Sequence, residues 1–184
     1  DLDAIKRQFH HLVRTVPSEG LIIAPQHEKN LDDVLKMGCW TPVVRTVINE
    51  SGTWAAQLKQ ADGSAFDLLF NGEIQGQVQW NLTGEHNVYN ALSAIAAAHH
   101  VGILPNAAIE ALSKFQNVKR RMEVIAKING VTLYDDFAHH PTAIKTTLDG
   151  LRKQVQQQLA LAIMVDTNHA LAHQLGRQTV ERGV

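Results

Sequence analysis

A cluster of polar side chains lies where a helix is predicted to begin. Residues 84–90 read Gly-Glu-His-Asn-Val-Tyr-Asn, directly before an alanine-rich stretch. Helix N-termini leave backbone N–H groups unpaired and carry a positive partial charge. At about 100° per residue, His86 and Asn90 share a face and Asn87 lies about 60° from Asn90. Two neighbouring carboxamides can hydrogen-bond the edge of an adenine, as they do when proteins read adenine in DNA, although ordinary first-turn asparagines would show the same spacing.

A second run is basic. Residues 119–121 read Lys-Arg-Arg, and the apolar period changes from helical to alternating across residues 116–121. We therefore place a domain boundary there, and ligand sites concentrate at such boundaries. An arginine held at this point could bind a phosphate with a fork geometry that lysine cannot match. A solvated basic face is the alternative.

A third run combines acids and histidines. Residues 134–141 read Tyr-Asp-Asp-Phe-Ala-His-His-Pro and begin at the end of a predicted strand. Open α/β sheets bind ligands outside the carboxyl ends of their strands, where an aspartate can accept hydrogen bonds from ribose hydroxyls. The histidine pair could contact a phosphate or a reacting carboxyl group. Metal binding is the rival interpretation, but no His-Glu-x-x-His pattern occurs, and we predict no metal ligand in this chain.

Composition excludes several classes of protein. The chain has 184 residues, with 17 basic and 18 acidic side chains and a formal net charge of −1. Nucleic acid is not expected as the main partner, because phosphate contacts need a basic surface. The single Cys39 excludes a disulfide framework. Without an apolar run of about 18 residues or a visible signal peptide, we expect no membrane partner and a cytoplasmic location.

Hydrophobic spacing predicts the elements that position these runs. An amphipathic helix over residues 2–14 is expected to bury one stripe, and Asn30 could cap the next helix. The alternation of strand and helix after residue 121 favours an α/β fold with a parallel-type sheet. Asp62-Gly63 and Asn71-Gly72 are predicted hairpin turns. The predicted strands are 21–24, 43–48, 53–58, 65–70, 74–80, 122–127, 131–134 and 159–165, and the later helices are 31–37, 86–101, 106–115, 141–158 and 169–181.

Three runs together resemble the Mur ligases, the ATP-dependent enzymes that add amino acids or peptides to the murein precursor. These are residues 84–92, 118–124 and 134–142, in family order and at family spacing. Residues 9–17 and 135–141 are most similar to the branch that ligates a murein tripeptide. The resemblance implies an α/β fold. Residues 1–118 would be the remainder of a central ATP-binding domain, with a mixed sheet and helices, and residues 119–184 an incomplete Rossmann-like C-terminal domain.

The resemblance also implies a reaction. ATP would phosphorylate the carboxylate of UDP-N-acetylmuramate, and the amino group of L-alanyl-γ-D-glutamyl-meso-diaminopimelate would attack the acyl phosphate. The phosphate-binding loop and the Mg²⁺ ligands of the family are expected outside this chain, which is therefore expected to be inactive alone. Ligation of L-alanine to UDP-N-acetylmuramate is an alternative. A nucleotide-binding α/β module without catalysis is another.

Site residues are carried over by position. The resemblance implies a nucleotide site that comprises His86, Asn87, Asn90, Arg121 and Asp136. Within it, Asn87 and Asn90 would hold adenine, Arg121 would contact the phosphates, and Asp136 would hold the ribose. His139 and His140 match a family motif near the reacting groups and are the candidate catalytic residues. The site residues would thus lie on two domains, and closure of these domains would assemble the site and exclude water.

Overall fold

The computed structural model describes residues 1–154. The chain divides into two compact units, Asp1–Gln116 and Asn117–Val184. The strand predicted over residues 159–165 and the helix predicted over residues 169–181 lie outside the described residues. So do the last residues of the helix predicted to reach residue 158. Among the helices of the described part, none is long and apolar enough to cross a bilayer.

A five-stranded mixed sheet forms the first unit. Its strands follow one another in chain order, β1 beside β2 through to β5. β1, β2 and β3 run parallel, whereas β3, β4 and β5 form an antiparallel meander. Asn71 and Gly72 have φ values of 50° and 84° at the β4–β5 turn, as a type I′ hairpin requires. The strands are β1 Ile22–Pro25, β2 Val43–Ile48, β3 Trp54–Leu58, β4 Ala65–Phe70 and β5 Glu73–Gln79.

The connection between β2 and β3 is unusually short. These strands are parallel neighbours, yet only residues 49–53 join them, whereas such pairs ordinarily need a crossover of about a dozen residues or more. Asn49 adopts a φ of 58°. Its N–H donates to the carbonyl of Ala56 at 2.8 Å, and its Oδ1 accepts from the N–H of Leu58 at 2.9 Å. Asn49 thus turns the chain back while it remains bonded to β3.

Four helices accompany this sheet, and one of them builds the core. They are α1 Leu2–Val13, α2 Lys29–Lys36, α3 Glu85–His100 and α4 Pro105–Ser113. Side chains of α3 pack against Trp54, Phe66 and Leu68 of the sheet. The buried residues of α3, which share one face of the helix, are Val88, Ala91, Leu92, Ile95 and Ala96. Large buried side chains each contribute about 1.5–3 kcal/mol, so α3 is fixed firmly on the sheet.

The predicted burial of α1 is wrong. The helix forms where its spacing indicates, but Leu2, Ile5, Phe9 and Leu12 are 50–60% exposed, and no residue of α1 is buried. Helical period determines which side chains share a face. It does not determine whether another element covers that face.

The predicted cap of α2 is also wrong. Glu28, not Asn30, occupies the N-cap position, and its side chain forms no capping hydrogen bond. Val34 is the buried residue of α2, whereas Met37, directly after the helix, is 46% exposed. Gly38 follows the helix end with a φ of 139°, a conformation that residues other than glycine rarely adopt.

In the second unit, a hairpin precedes a helix. β6 Glu123–Ile128 pairs antiparallel with β7 Val131–Asp135, across a turn in which Asn129 and Gly130 have positive φ. α5 Pro141–Gln154 follows, and its first residue is the proline that predicted its start. The hairpin and the helix start are therefore confirmed, and the two sheets with their helices confirm the α/β class.

Candidate functional site

Gly84 fixes how the chain enters α3. It is the N-cap residue, with a φ of 93° and no side chain to cap the helix. Its N–H donates to the carbonyl of Asp62 at 2.6 Å. A Cβ at this position would lie 2.6 Å from the ring of His86, closer than real Cβ contacts. Glycine is therefore needed for the conformation and for the space beside His86.

The two predicted adenine ligands lie in the first turns of α3. Asn87 is half-buried, and its Nδ2 donates to the carbonyl of Thr83 at 2.8 Å. This bond sets the direction of the carboxamide and leaves Oδ1 and a second N–H for a ligand. Asn90 and His86 are exposed and lie one turn apart on one face. The helix thus presents two carboxamides and an imidazole near its N-terminus.

Tyr89 is a neighbour that the spacing argument did not single out. Partial burial raises the pKa of its phenol, and the carboxylates of Glu85, Glu50 and Glu28 raise that pKa further, against the lowering effect of a backbone hydrogen bond at Ile48. The phenol therefore stays neutral well into the alkaline range.

In the second unit, the basic linker, residues 119–122, is hydrogen-bonded to the loop between β7 and α5. The carbonyl of Arg120 accepts from the N–H of Phe137 at 2.7 Å. The N–H of Met122 donates to Oδ2 of Asp136 at 2.8 Å. Arg120 and Met122 have φ values of 59° and 51°, conformations that cost energy for residues other than glycine and cluster at functional sites. These bonds therefore hold Arg121 close to Asp136.

Asp136 is itself held by two backbone bonds. Its Oδ1 accepts from the N–H of Ala138 at 2.7 Å, while its Oδ2 accepts from Met122. Each carboxylate oxygen has a second lone pair, so both can still accept from a ligand hydroxyl. Asp136 thus positions the loop as well as offering acceptors, a structural role that the sequence did not predict.

The adjacent arginines differ in their partners. Nε of Arg120 lies 3.3 Å from Oδ2 of Asp135. Within residues 1–154, the guanidinium of Arg121 forms no ion pair, and it lies over the ring of Phe137 at 5.6 Å from the centroid. Of the two, Arg121 is the cation available to an anionic ligand.

The two candidate catalytic histidines present different ring atoms. Nδ1 of His139 lies 3.1 Å from the carbonyl of Phe137. Because a carbonyl can only accept, Nδ1 is the donor, and Nε2 of the neutral ring is an acceptor. Nδ1 of His140 accepts from the N–H of Thr142 at 3.4 Å, so its Nε2 carries the proton. Both side chains are exposed.

The predicted residues therefore fall into two groups. His86, Asn87 and Asn90 lie on α3 of the first unit, whereas Arg121, Asp136, His139 and His140 lie in the linker and loop of the second. Among the described residues, no group of three or more His, Cys, Asp or Glu is arranged to hold a metal.

Comparisons with known proteins identify the family. Residues 1–98 match the Mur ligase middle domain, and residues 120–181 match the Mur ligase glutamate ligase domain. The chain is 51% identical to the UDP-N-acetylmuramate–L-alanyl-γ-D-glutamyl-meso-2,6-diaminoheptandioate ligase of Escherichia coli K12, over 84% of this chain and 34% of that protein. It is 36% identical to the UDP-N-acetylmuramate–L-alanine ligase of Caldicellulosiruptor bescii, over 83% of this chain and 34% of that protein.

A solved structure agrees with these matches. The crystal structure of a murein peptide ligase from Psychrobacter arcticus 273-4 superposes with a TM-score of 0.68 at 44% identity, over 90% of this chain and 37% of that one. The chain spans about a third of the length of the curated relatives that it matches. Sequence motifs, domain matches and fold all agree, and the chain belongs to the Mur ligase family.

Proposed function

We propose that this chain is the central and C-terminal part of an ATP-dependent ligase that joins L-alanyl-γ-D-glutamyl-meso-diaminopimelate to UDP-N-acetylmuramate in the bacterial cytoplasm. The observation that carries the proposal is the bond from the Met122 N–H to Asp136. It holds a ribose acceptor beside Arg121, a guanidinium without an ion pair in the described part of the chain. The 51% identity to the E. coli ligase that is named for these substrates supports this choice of substrates.

In this proposal, one ATP contacts both groups of residues. Asn87 and Asn90 hydrogen-bond the adenine edge from the first turns of α3. Asp136 accepts from the ribose hydroxyls, and Arg121 contacts the phosphates. Residues 1–118 and 119–184 are the two domains that bring these groups to the nucleotide. Phosphoryl transfer needs charge stabilisation from several sides, which supports a site built from two domains.

The proposed reaction has two steps. First, a carboxylate oxygen of UDP-N-acetylmuramate attacks the γ-phosphorus of ATP, which gives an acyl phosphate and ADP. Second, the tripeptide amine attacks the acyl carbon, phosphate leaves, and the amide forms with loss of one proton from the amine. His139 presents an acceptor at Nε2 that can take this proton, whereas His140 presents an N–H that can donate to the departing phosphate. Mg²⁺ and the phosphate-binding loop are expected outside this chain.

A second candidate is supported by the 36% identity to the L-alanine ligase of C. bescii. Such an enzyme would use the same nucleotide residues and the same acyl phosphate, and it would differ in the amine. A module that binds ATP without chemistry is the remaining alternative. Amine preference and phosphate release distinguish the three.

The test is phosphate release by the full-length protein with ATP, UDP-N-acetylmuramate and either amine. We expect release with the tripeptide well above that with L-alanine. Asn90→Ala should raise the KM for ATP, whereas Asn30→Ala, at an exposed helical asparagine of α2, should not. Faster release with L-alanine would establish the second candidate. ATP binding without release with either amine would refute the ligase proposal.

A further inference from the structure

Phe137 is an exposed aromatic side chain beside two guanidinium groups. Its side chain is 51% exposed. Cζ of Arg120 lies 5.7 Å and Cζ of Arg121 5.6 Å from its ring centroid. Both distances fall within the range of about 6 Å over which a cation is attracted to an aromatic face. A ring this exposed contributes little to a core, and both arginines lie over it.

The backbone holds this ring at the linker. The N–H of Phe137 donates to the carbonyl of Arg120 at 2.7 Å. The ring of His139 packs edge-on against that of Phe137, with centroids 5.1 Å apart and planes at 72°. The backbone hydrogen bond thus holds the Cα of Phe137 beside the basic run, and the contact with His139 restrains the ring there.

The contact has a different consequence for each arginine. Arg120 is already held by Asp135 at 3.3 Å, and its backbone N–H donates to Oε2 of Glu123 at 3.0 Å. In the described part of the chain, the guanidinium of Arg121 has no carboxylate to hold it. A ring face attracts a guanidinium without occupying its N–H donors, which point outward in the guanidinium plane. Phe137 thus restricts the Arg121 side chain and leaves its donors free.

We propose that Phe137 is a positioning residue that holds the Arg121 guanidinium, through the face of its ring, ready for a nucleotide phosphate. This inference rests on the proposed function, in which Arg121 contacts ATP. The ring lowers the conformational entropy that Arg121 would lose on binding, since a long side chain loses up to about 2 kcal/mol of rotamer freedom when it is ordered. Its removal should therefore weaken ATP binding more than it slows chemistry.

The experiment is steady-state kinetics of the full-length protein with ATP varied and both co-substrates saturating. Phe137→Leu keeps an apolar side chain and removes the ring. We expect it to raise the KM for ATP about two- to fivefold, because an exposed cation–π contact contributes a free energy of that size. The change in kcat should be smaller. Phe137→Tyr keeps the ring face and should retain the wild-type KM. Ile128→Ala changes another exposed apolar residue, at the β6–β7 hairpin, and should leave both constants unchanged.

Arg121→Ala separates this inference from the function on which it rests. In that background, Phe137→Leu should produce no further rise in the KM for ATP, because the two residues act as one unit. If Arg121→Ala raises the KM and Phe137→Leu does not, the role of the ring is refuted and the proposed function stands. If Arg121→Ala itself leaves the KM unchanged, the contact of Arg121 with ATP and the role of the ring are refuted together, whereas the ligase activity that the assay measures stands. A full effect of Phe137→Leu in the Arg121→Ala background would also overturn the role proposed for the ring.

Discussion

Replacement of Asp136 by asparagine tests whether one carboxylate both holds the loop through backbone hydrogen bonds and binds the nucleotide. Its two oxygens accept from the N–H groups of Met122 and Ala138 at 2.8 and 2.7 Å. Asparagine keeps the shape, but one oxygen becomes an NH₂ group. One of the two backbone donors then faces another donor and loses its partner.

The expected magnitude follows from the two bonds. A hydrogen bond to a charged group contributes about 1.5–3 kcal/mol, and an orphaned donor costs about 1–3 kcal/mol. Asp136 is half-buried, so we take the lower end, about 1–2 kcal/mol for local opening of the loop. That corresponds to roughly tenfold faster exchange of the affected amide hydrogens. Loss of the negative charge should also weaken ATP binding about tenfold, through the ribose hydrogen bonds.

The assay combines amide hydrogen exchange with calorimetry on the full-length protein. Asp136→Asn should speed exchange at Met122 or Ala138 and raise the Kd for ATP, with the affinity for the tripeptide little changed. Asp135→Asn is the matched control. It removes the neighbouring carboxylate, whose partly exposed pair with Arg120 should contribute at most about 1 kcal/mol. The same changes in both variants, or equal losses of ATP and tripeptide affinity, would refute the reasoning.

Three other predictions use different residues. Gly84→Ala should destabilise the protein by more than Gly102→Ala. Both glycines have a φ of 93°, but of the two only Gly84 has another side chain, that of His86, in the space that a Cβ would occupy. Thermal unfolding of each variant measures the difference. Because the pKa of Tyr89 is raised in the fold, its stabilising contribution is present below its unfolded pKa of about 10 and is lost at higher pH. Tyr89→Phe should flatten the loss of unfolding free energy above about pH 10, measured by denaturant titration at several pH values. His139→Asn, which lacks the Nε2 acceptor, should lower kcat about a hundredfold or more and leave the unfolding midpoint unchanged. A fall in kcat together with a lower unfolding midpoint would indicate a structural role.

Local patterns predicted the elements that carry the site. Asn71-Gly72 and Asn129-Gly130 adopt the positive φ values that their sequence favours, because glycine and asparagine tolerate that conformation at low cost. The buried face of α3 follows from its helical spacing, and Pro141 marks the start of α5. These signals depend on residues close in sequence, which the chain itself displays.

Contacts between distant residues were not predictable in the same way. The exposure of Leu12 on α1, 60%, depends on which elements lie against the helix, and periodicity contains no such information. The parallel pairing of β2 with β3 depends on the two hydrogen bonds of Asn49, which no spacing rule anticipates. Likewise, the sequence indicated that Asp136 could bind a ribose. Its hydrogen bond with Met122 joins residues 14 positions apart, and no local pattern predicts such a contact.

A crystal structure of the full-length protein with a non-hydrolysable ATP analogue tests the central claim most directly. We expect the carboxamides of Asn87 and Asn90 within hydrogen-bond distance of the adenine edge. Asp136 should lie at the ribose and Arg121 at a phosphate of the same molecule. A nucleotide bound elsewhere, with these four side chains facing solvent, would contradict the account.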